Sequence, residues 1–179
     1  MQQTKCSAIL VVMGVSGCGK STVGAALAAA LGLLFLEGDA FHPTGNVARM
    51  AAGLALNDAD RAGWLQTLAE RIASSRRSGQ GLVLSCSALK RSYRDILRQG
   101  APALHFVHLQ GDYERLAVRM AARSGHYMPL SLLTSQLGTL EVPGADEDAQ
   151  SFDLATRPET IVAAVLARWP VADTRGSSP

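Results

Sequence analysis

Ala8-Ile9-Leu10-Val11-Val12-Met13-Gly14-Val15-Ser16-Gly17-Cys18-Gly19-Lys20-Ser21-Thr22-Val23 is the stretch that decides the architecture. Ala8 to Met13 is a short, unbroken apolar run with two adjacent valines, the pattern of a strand buried on both faces of a parallel sheet. Glycines end the run abruptly. Beyond them Val23, Ala26, Leu27, Ala30 and Leu31 recur at helical spacing, and Gly32 is placed to cap the helix C-terminus. Between strand and helix, Gly14-x-x-x-x-Gly19-Lys20-Ser21 has the Walker A spacing. Its glycines let the backbone fold around an anion so that successive N–H groups point inward, and the helix start adds the positive end of its dipole.

These features predict a phosphate cradle formed by Gly14, Val15, Ser16, Gly17, Cys18, Gly19, Lys20, Ser21 and Thr22. The Lys20 ammonium can reach the β- and γ-phosphates of ATP, and the Ser21 hydroxyl can ligate the Mg²⁺ that bridges them. Cys18 reads as a small filler in a tolerant loop position, or as a thiol activated by the helix N-terminus and Lys20.

Outward from the cradle the alternation continues. Apolar runs at Leu33–Leu36, Leu82–Cys86 and Leu104–Leu109 read as further strands, with a weaker one near Ser151–Ala155. Between them lie three helical patterns. The first is capped by Asn57 or Asp58 and carries Arg61, Trp64, Leu65, Leu68 and Ile72 on one face; the second spans Lys90–Arg98; the third runs from Asp112 to about Arg123. A closing helix is expected over Thr160–Trp169. The fold class is therefore α/β, a three-layer structure with a five-stranded parallel sheet. It forms a single domain over 1–173, with a polar lid at about 119–137 and a flexible tail over 174–179. Ligands of such sheets bind at the carboxyl ends of the strands, so the polar clusters after the first three strands should converge on one crevice.

The chain has 179 residues, 47% hydrophobic and 18% charged, which suits an ordinary globular protein. A net charge of +2 with scattered basic residues argues against nucleic acid as a partner. Cys6, Cys18 and Cys86 are odd in number and widely separated, with no disulfide framework or zinc spacing, and so suit a reducing cytoplasm. The apolar run before Gly14 is too short for a membrane span.

A phosphate cradle alone does not separate kinases from ATPases or switches. Glu37-Gly38-Asp39-Ala40-Phe41-His42-Pro43 follows the second strand and sets two carboxylates at i, i+2, pointing the same way in an extended segment. One can hold Mg²⁺ through water while the other takes a proton from an acceptor hydroxyl. With these residues the sequence closely resembles the gluconokinase family of small P-loop sugar-acid kinases, relatives of shikimate and adenylate kinases. The resemblance runs through Gly14–Ser21, Gly38-Asp39-x-x-His42-Pro43, Asn46-x-x-x-Met50, Leu56-Asn57-Asp58-x-Asp60-Arg61-x-x-Trp64-Leu65, Cys86-Ser87-Ala88-Leu89-Lys90 and Pro143-Gly144-Ala145-Asp146-Glu147. It implies a P-loop kinase fold and ATP-dependent phosphorylation of D-gluconate to 6-phosphogluconate by a homodimer.

Carried across by position, Asp39 resembles the base for the acceptor hydroxyl, although capping of the following helix would also account for it. Glu37, where the family often has Asp, would hold Mg²⁺ through water. His42, Asn46 and Arg49 would line the sugar-acid pocket, with Arg49 as carboxylate clamp. Thr44-Gly45 stands where some relatives carry basic residues. Ser87 follows the third strand, and Lys90 and Arg94 at i, i+4 put two cations on one helical face, suited to a carboxylate or a migrating phosphoryl group, or else simply solvated. Arg119 and Arg123, also at i, i+4, precede Ser124-Gly125-His126-Tyr127, which resembles the short lid of this kinase group; lid arginines neutralise charge on the transferred group. His126 is a candidate lid contact to substrate. Asp58, Asp60, Arg61 and Trp64 are explained by capping and packing without chemistry, and His105 and His108 read as structural. The rival readings are a P-loop kinase for another acceptor, such as shikimate or a nucleoside monophosphate, and a non-catalytic nucleotide switch.

Overall fold

Five parallel strands in the order β2-β3-β1-β4-β5 form the centre of the computed structural model, which describes residues 7–122 and 129–168. The strands are β1 (Ile9–Met13), β2 (Leu34–Glu37), β3 (Leu82–Ser85), β4 (His105–Gln110) and β5 (Ala149–Asp153). All five residues of β1 are buried, as its unbroken apolar run requires of the middle strand. Around the sheet lie α1 (Lys20–Leu31), α2 (Thr44–Ala51), α3 (Asp58–Arg77), α4 (Arg91–Gly100), α5 (Tyr113–Ala121), α6 (Leu130–Thr139) and α7 (Pro158–Leu166), with one 3₁₀ turn at Gly38–Phe41. Helix α1 packs against α7, and α3 against α4. The core joins Leu10, Val12, Leu27, Leu68, Leu84 and Phe106 in one continuous cluster.

Local chemistry accounts for the helix ends. Gly32 closes α1 at φ 66, the left-handed conformation glycine adopts without Cβ strain. Of the two candidate caps for α3, Asn57 serves: it accepts from Asp60 N–H at 2.8 Å while the Asp60 carboxylate accepts from Asn57 N–H at 2.9 Å, a reciprocal capping box. Asp112 caps α5 by accepting from Arg115 N–H at 2.8 Å.

Two departures from the sequence expectation have clear causes. The weak last strand is β5, two residues earlier than expected. It lies at the sheet edge, where half-burial removes the need for an apolar run, and polar ties hold it: His108 Nδ1 pairs with Ser151 Oγ at 3.0 Å, and His105 lies between Asp148 and Gln150 at 3.0 and 3.1 Å. Burial keeps both imidazoles below their ordinary range, His108 at about 4, so these ties are made by neutral rings. The expected lid region contains α6. Pro129 precedes its first turn, and Leu132 and Leu133 are buried against the rest of the domain. Arg123 and His126 of the expected lid, along with Trp169 of the closing helix and the 174–179 tail, lie outside the described residues.

The buried ion pair made from the first turn of α4 ties the late part of the chain to the core. Arg94 Nε and Nη2 donate to the two oxygens of Glu147, both at 2.7 Å, and both side chains are at most 2% exposed. Arg94 Nη1 donates to the carbonyls of Ala88, Leu89 and Glu141, and Arg98 adds a second cation to Glu147 at 2.6 Å. These donors, led by Arg94, hold the Glu147 carboxyl at about 2. Because the folded value lies below the unfolded one near 4.5, the stabilisation is complete above pH 4.5 and is lost as pH falls towards 2. Glu147→Gln should therefore lower stability at neutral pH by about 3–5 kcal/mol, the usual cost of stranding a buried charge. It should also flatten the acid limb of the stability profile, as followed by urea titration from pH 7 to 3.

Candidate active site

The cradle is built at the end of β1, the middle strand, with β3 on one side and β4 on the other. Gly14, at φ 142, donates its N–H to Ser87 O at 3.3 Å, and a Cβ there would overlap the backbone oxygen of Leu109. The loop is thus pinned between the ends of the two flanking strands, and glycine is required. Gly17 and Gly19 also have positive φ, and α5 lies against the loop through Met120 beside Gly17. Cys18 is buried with its Sγ towards Gly14, which fits the filler reading.

Lys20 begins α1, and its ammonium donates to Val15 O at 3.0 Å, folded across the loop. Ser21 and Thr22 are exposed on the first turn. The Ser16 N–H donates at 2.7 Å to Oε1 of Gln136 on α6, a residue the sequence reading did not single out. Gln136 thus occupies a donor that a bound phosphate would use. Arg119 on α5 places its Nη1 beside Gly19 at the mouth of the cradle while Nη2 donates to Leu154 O at 2.9 Å.

The second side of the site hangs on Gly38. Its N–H faces Ser85 Oγ at 3.3 Å, a Cβ would overlap Ser85 O, and the buried indole of Trp64 donates to its carbonyl at 2.9 Å. This clamp positions Asp39, whose side chain is 63% exposed and makes no capping bond. Capping of the following helix, the alternative for Asp39, is therefore not what its carboxylate does here. Glu37 lies two residues before Asp39 and accepts from the Ser85 hydroxyl. The His42 ring is buried, stacks on Trp64 with ring centres 4.0 Å apart, and approaches Asp39 at 4.0 Å. Burial lowers its pKa, with the Asp39 charge opposing. Asn46 is buried, donates to Asp60 O at 2.7 Å and faces His42 Nδ1 at 3.4 Å.

The expected cations separate. Arg94 must be corrected: wholly buried, with every guanidinium nitrogen engaged, it is a structural residue rather than one that faces substrate. Lys90 is held by Asp58 at 2.8 and 3.0 Å. Asp58 also accepts from the Tyr93 hydroxyl, and these two donors depress its carboxyl. Arg49 is about half exposed and lies 3.5 Å from Asp60. Ser87 is buried at the end of β3. Arg61, set aside as a packing residue, is also buried and lines a narrow cleft with Met50, Leu56, Leu89 and Gln136. Cys86 is fully buried, and desolvation raises its thiol to about 12, so it is no nucleophile.

Because the Gln136 carboxamide competes for Ser16 N–H, Gln136→Ala should tighten nucleotide binding by about 2- to 10-fold, the worth of one neutral hydrogen bond. Titration with a fluorescent ATP analogue checks this; weaker binding would mean that Gln136 supports the nucleotide rather than competing with it.

Comparison with known proteins bears on what such a site does. The AAA domain family profile matches residues 9–143. The gluconokinase of Gluconobacter oxydans is 47% identical over 164 residues, 92% of each chain. A gluconokinase crystal structure from Sinorhizobium meliloti superposes with a TM-score of 0.82 at 48% identity, covering 94% of this chain and 95% of that one. An unliganded sugar kinase from Janibacter gives 0.88 at 44% identity, with 96% and 99% covered. A cradle after β1, a carboxylate after β2 and similarity of this degree over most of the chain agree, and the chain belongs to the gluconokinase family of P-loop kinases.

Proposed function

We propose that this protein transfers the γ-phosphoryl group of ATP to the 6-hydroxyl of D-gluconate. The observation that carries the reading is Asp39, a largely exposed carboxylate next to the Gly38 that Trp64 holds, following β2 at the sheet end where β1 leads into the cradle. A switch protein needs no such group.

The division of labour follows from the residues. Backbone N–H groups of the Gly14–Ser21 loop and the α1 N-terminus bind the phosphates. Lys20 leaves Val15 O for the β- and γ-phosphates, where its charge is of more use. Arg119, with Arg123 of the following segment, neutralises charge on the group in flight. Asp39 orients the acceptor hydroxyl in line and takes its proton, while His42 and Asn46 shape the floor beside it. His126 belongs to the lid side of the same proposal.

Among the described residues no group of three or more His, Cys, Asp or Glu side chains could hold a metal ion. That donor set fits Mg²⁺ carried in on the nucleotide, since this ion keeps most of its waters and takes few protein ligands. Ser21 would supply one oxygen directly and Glu37 one through water, and the ion would supply charge neutralisation between the phosphates. A cytoplasmic location rests on the cysteine pattern, and homodimeric assembly rests on the family resemblance.

A coupled ADP-release assay across gluconate, other sugar acids, shikimate, nucleoside monophosphates and no acceptor tests the reading. Gluconate should give the highest kcat/KM, and EDTA should abolish it. An active preparation that ignores gluconate would defeat the proposal. Asp39→Asn should keep ATP binding and lose about 10²- to 10⁴-fold in kcat, the range for a general base. Near-normal turnover would remove Asp39 from that role.

A further inference from the structure

His42 is a buried imidazole whose two ring nitrogens meet different surroundings. Pro43 after it confines its backbone to the extended region, φ −65 and ψ 136, just before α2. The ring stacks on Trp64 of α3, with centres 4.0 Å and planes 18° apart, and only 2% of the side chain is exposed. The same indole donates to Gly38 O, so one side chain of α3 holds both the backbone before Asp39 and the ring beside it. Nδ1 of His42 faces the carboxamide nitrogen of Asn46, four residues on, at 3.4 Å. Nε2 lies 4.0 Å from Oδ1 of Asp39.

Which nitrogen carries the proton follows from Asn46. Its Nδ2 donates to Asp60 O at 2.7 Å, a contact that the amide oxygen could not make, because oxygen would then face oxygen. The carboxamide is thereby fixed with its nitrogen towards His42 Nδ1, which accepts. A neutral imidazole that accepts at Nδ1 carries its proton on Nε2. Neutrality follows from the surroundings: desolvation is the largest influence on the ring and disfavours charge, the Asp39 carboxylate favours it, and the Arg61 cation disfavours it. The Nε2–H thus faces the Asp39 carboxylate as a donor. At 4.0 Å the two make no hydrogen bond, but the Asp39 side chain is 63% exposed and free to turn towards the ring. Nε2 is not sealed off either: among the described residues, the wholly enclosed side-chain polar atom without a partner is His108 Nε2.

We propose that His42 is a positioning residue for the transfer: its Nε2–H binds one oxygen of the Asp39 carboxylate as the acceptor arrives, leaving the other oxygen to take the hydroxyl proton. The proposal rests on the reading of Asp39 as base. His42 keeps its own proton throughout; the hydroxyl proton goes to Asp39, and the oxygen it leaves bonds to the γ-phosphorus as ADP departs. An exposed carboxylate has many orientations, and a donor on a ring locked by stacking selects one of them. Alignment of this kind is where phosphoryl transfer gains rate. Asn46 stands behind His42 and fixes its tautomer, as the third group of a triad orients its base.

The test sets the ring against its N–H. His42→Phe keeps an aromatic ring for Trp64 and removes the donor, whereas His42→Gln loses the ring and puts an amide N–H near the place of Nε2. With kcat counted per nucleotide-binding site, His42→Phe should lose on the order of 10-fold in kcat while the gluconate and ATP KM values stay within about twofold, as for one lost hydrogen bond to a charged group. His42→Gln should regain part of that loss. In an Asp39→Asn background, His42→Phe should cost little more, because the two residues act as one unit. Near-normal kcat in His42→Phe overturns the proposal, as does a Gln variant worse than the Phe variant, which is the pattern of stacking alone. A raised gluconate KM at unchanged kcat also overturns it, since the ring would then serve the substrate directly, and so does a full further loss in the Asp39→Asn background. Long-range ¹H–¹⁵N correlation spectra of the wild type near neutral pH should show His42 as the neutral Nε2–H tautomer. The Nδ1–H tautomer or a doubly protonated ring overturns the proposal, and this result stands even if the variants do not fold. Near-normal turnover in Asp39→Asn overturns the base reading and this proposal with it, whereas failure in the His42 variants alone leaves that reading in place.

Discussion

The site depends on how closely two backbone segments can approach their neighbours at the ends of β1 and β2. At Gly14 the chain passes against Leu109 O and bonds to Ser87 O; at Gly38 it passes against Ser85 O and is held by Trp64. A side chain at either position would push the loop away from the sheet. The first approach shapes the loop that forms the cradle, and the second fixes the backbone from which Asp39 projects. Both contacts reach the end of β3, through Ser85 and Ser87, so donor and acceptor sides are referenced to one rigid strand. Pre-organisation of this kind is what phosphoryl transfer asks of a protein, since little of the chemistry is covalent.

Buried charge is handled in two ways within the same domain. Glu147 is surrounded by donors from Arg94, Arg98 and Gly144 N–H, which makes a closed, fully hydrogen-bonded cluster. Such a cluster gains little over apolar packing but is costly to break, so it holds the segment before β5 in one arrangement. Arg61, also buried, has among the described residues one long hydrogen bond, from Nε to Leu56 O, and the face of Tyr93 beside its guanidinium. Both arginines lie on helices beside the same sheet and look alike as residues in a helical pattern, yet their partners differ.

Gln136 joins the two halves. Its carboxamide oxygen sits on Ser16 N–H in the cradle while the residue also lines the cleft at Arg61. A phosphate that takes Ser16 N–H would displace that carboxamide.

Much of this was legible from local patterns. The apolar run at Ala8–Met13, the glycine spacing of Gly14–Ser21 and the Gly32 and Asp112 caps determined a parallel α/β domain with a P-loop after its first strand, because each depends on residues adjacent in the chain. Helix α6 was hidden behind a segment that resembles a lid, and β5 by its edge position, where polar ties replace the apolar run. The fate of the arginines was decided only by tertiary structure. Arg49, Arg61 and Arg94 all sit at helical positions that could serve a carboxylate, and which of them meets Asp60, open cleft or Glu147 depends on contacts between segments far apart in sequence. A charge's role is set by its partners and its burial, and neither is a property of its neighbours along the chain.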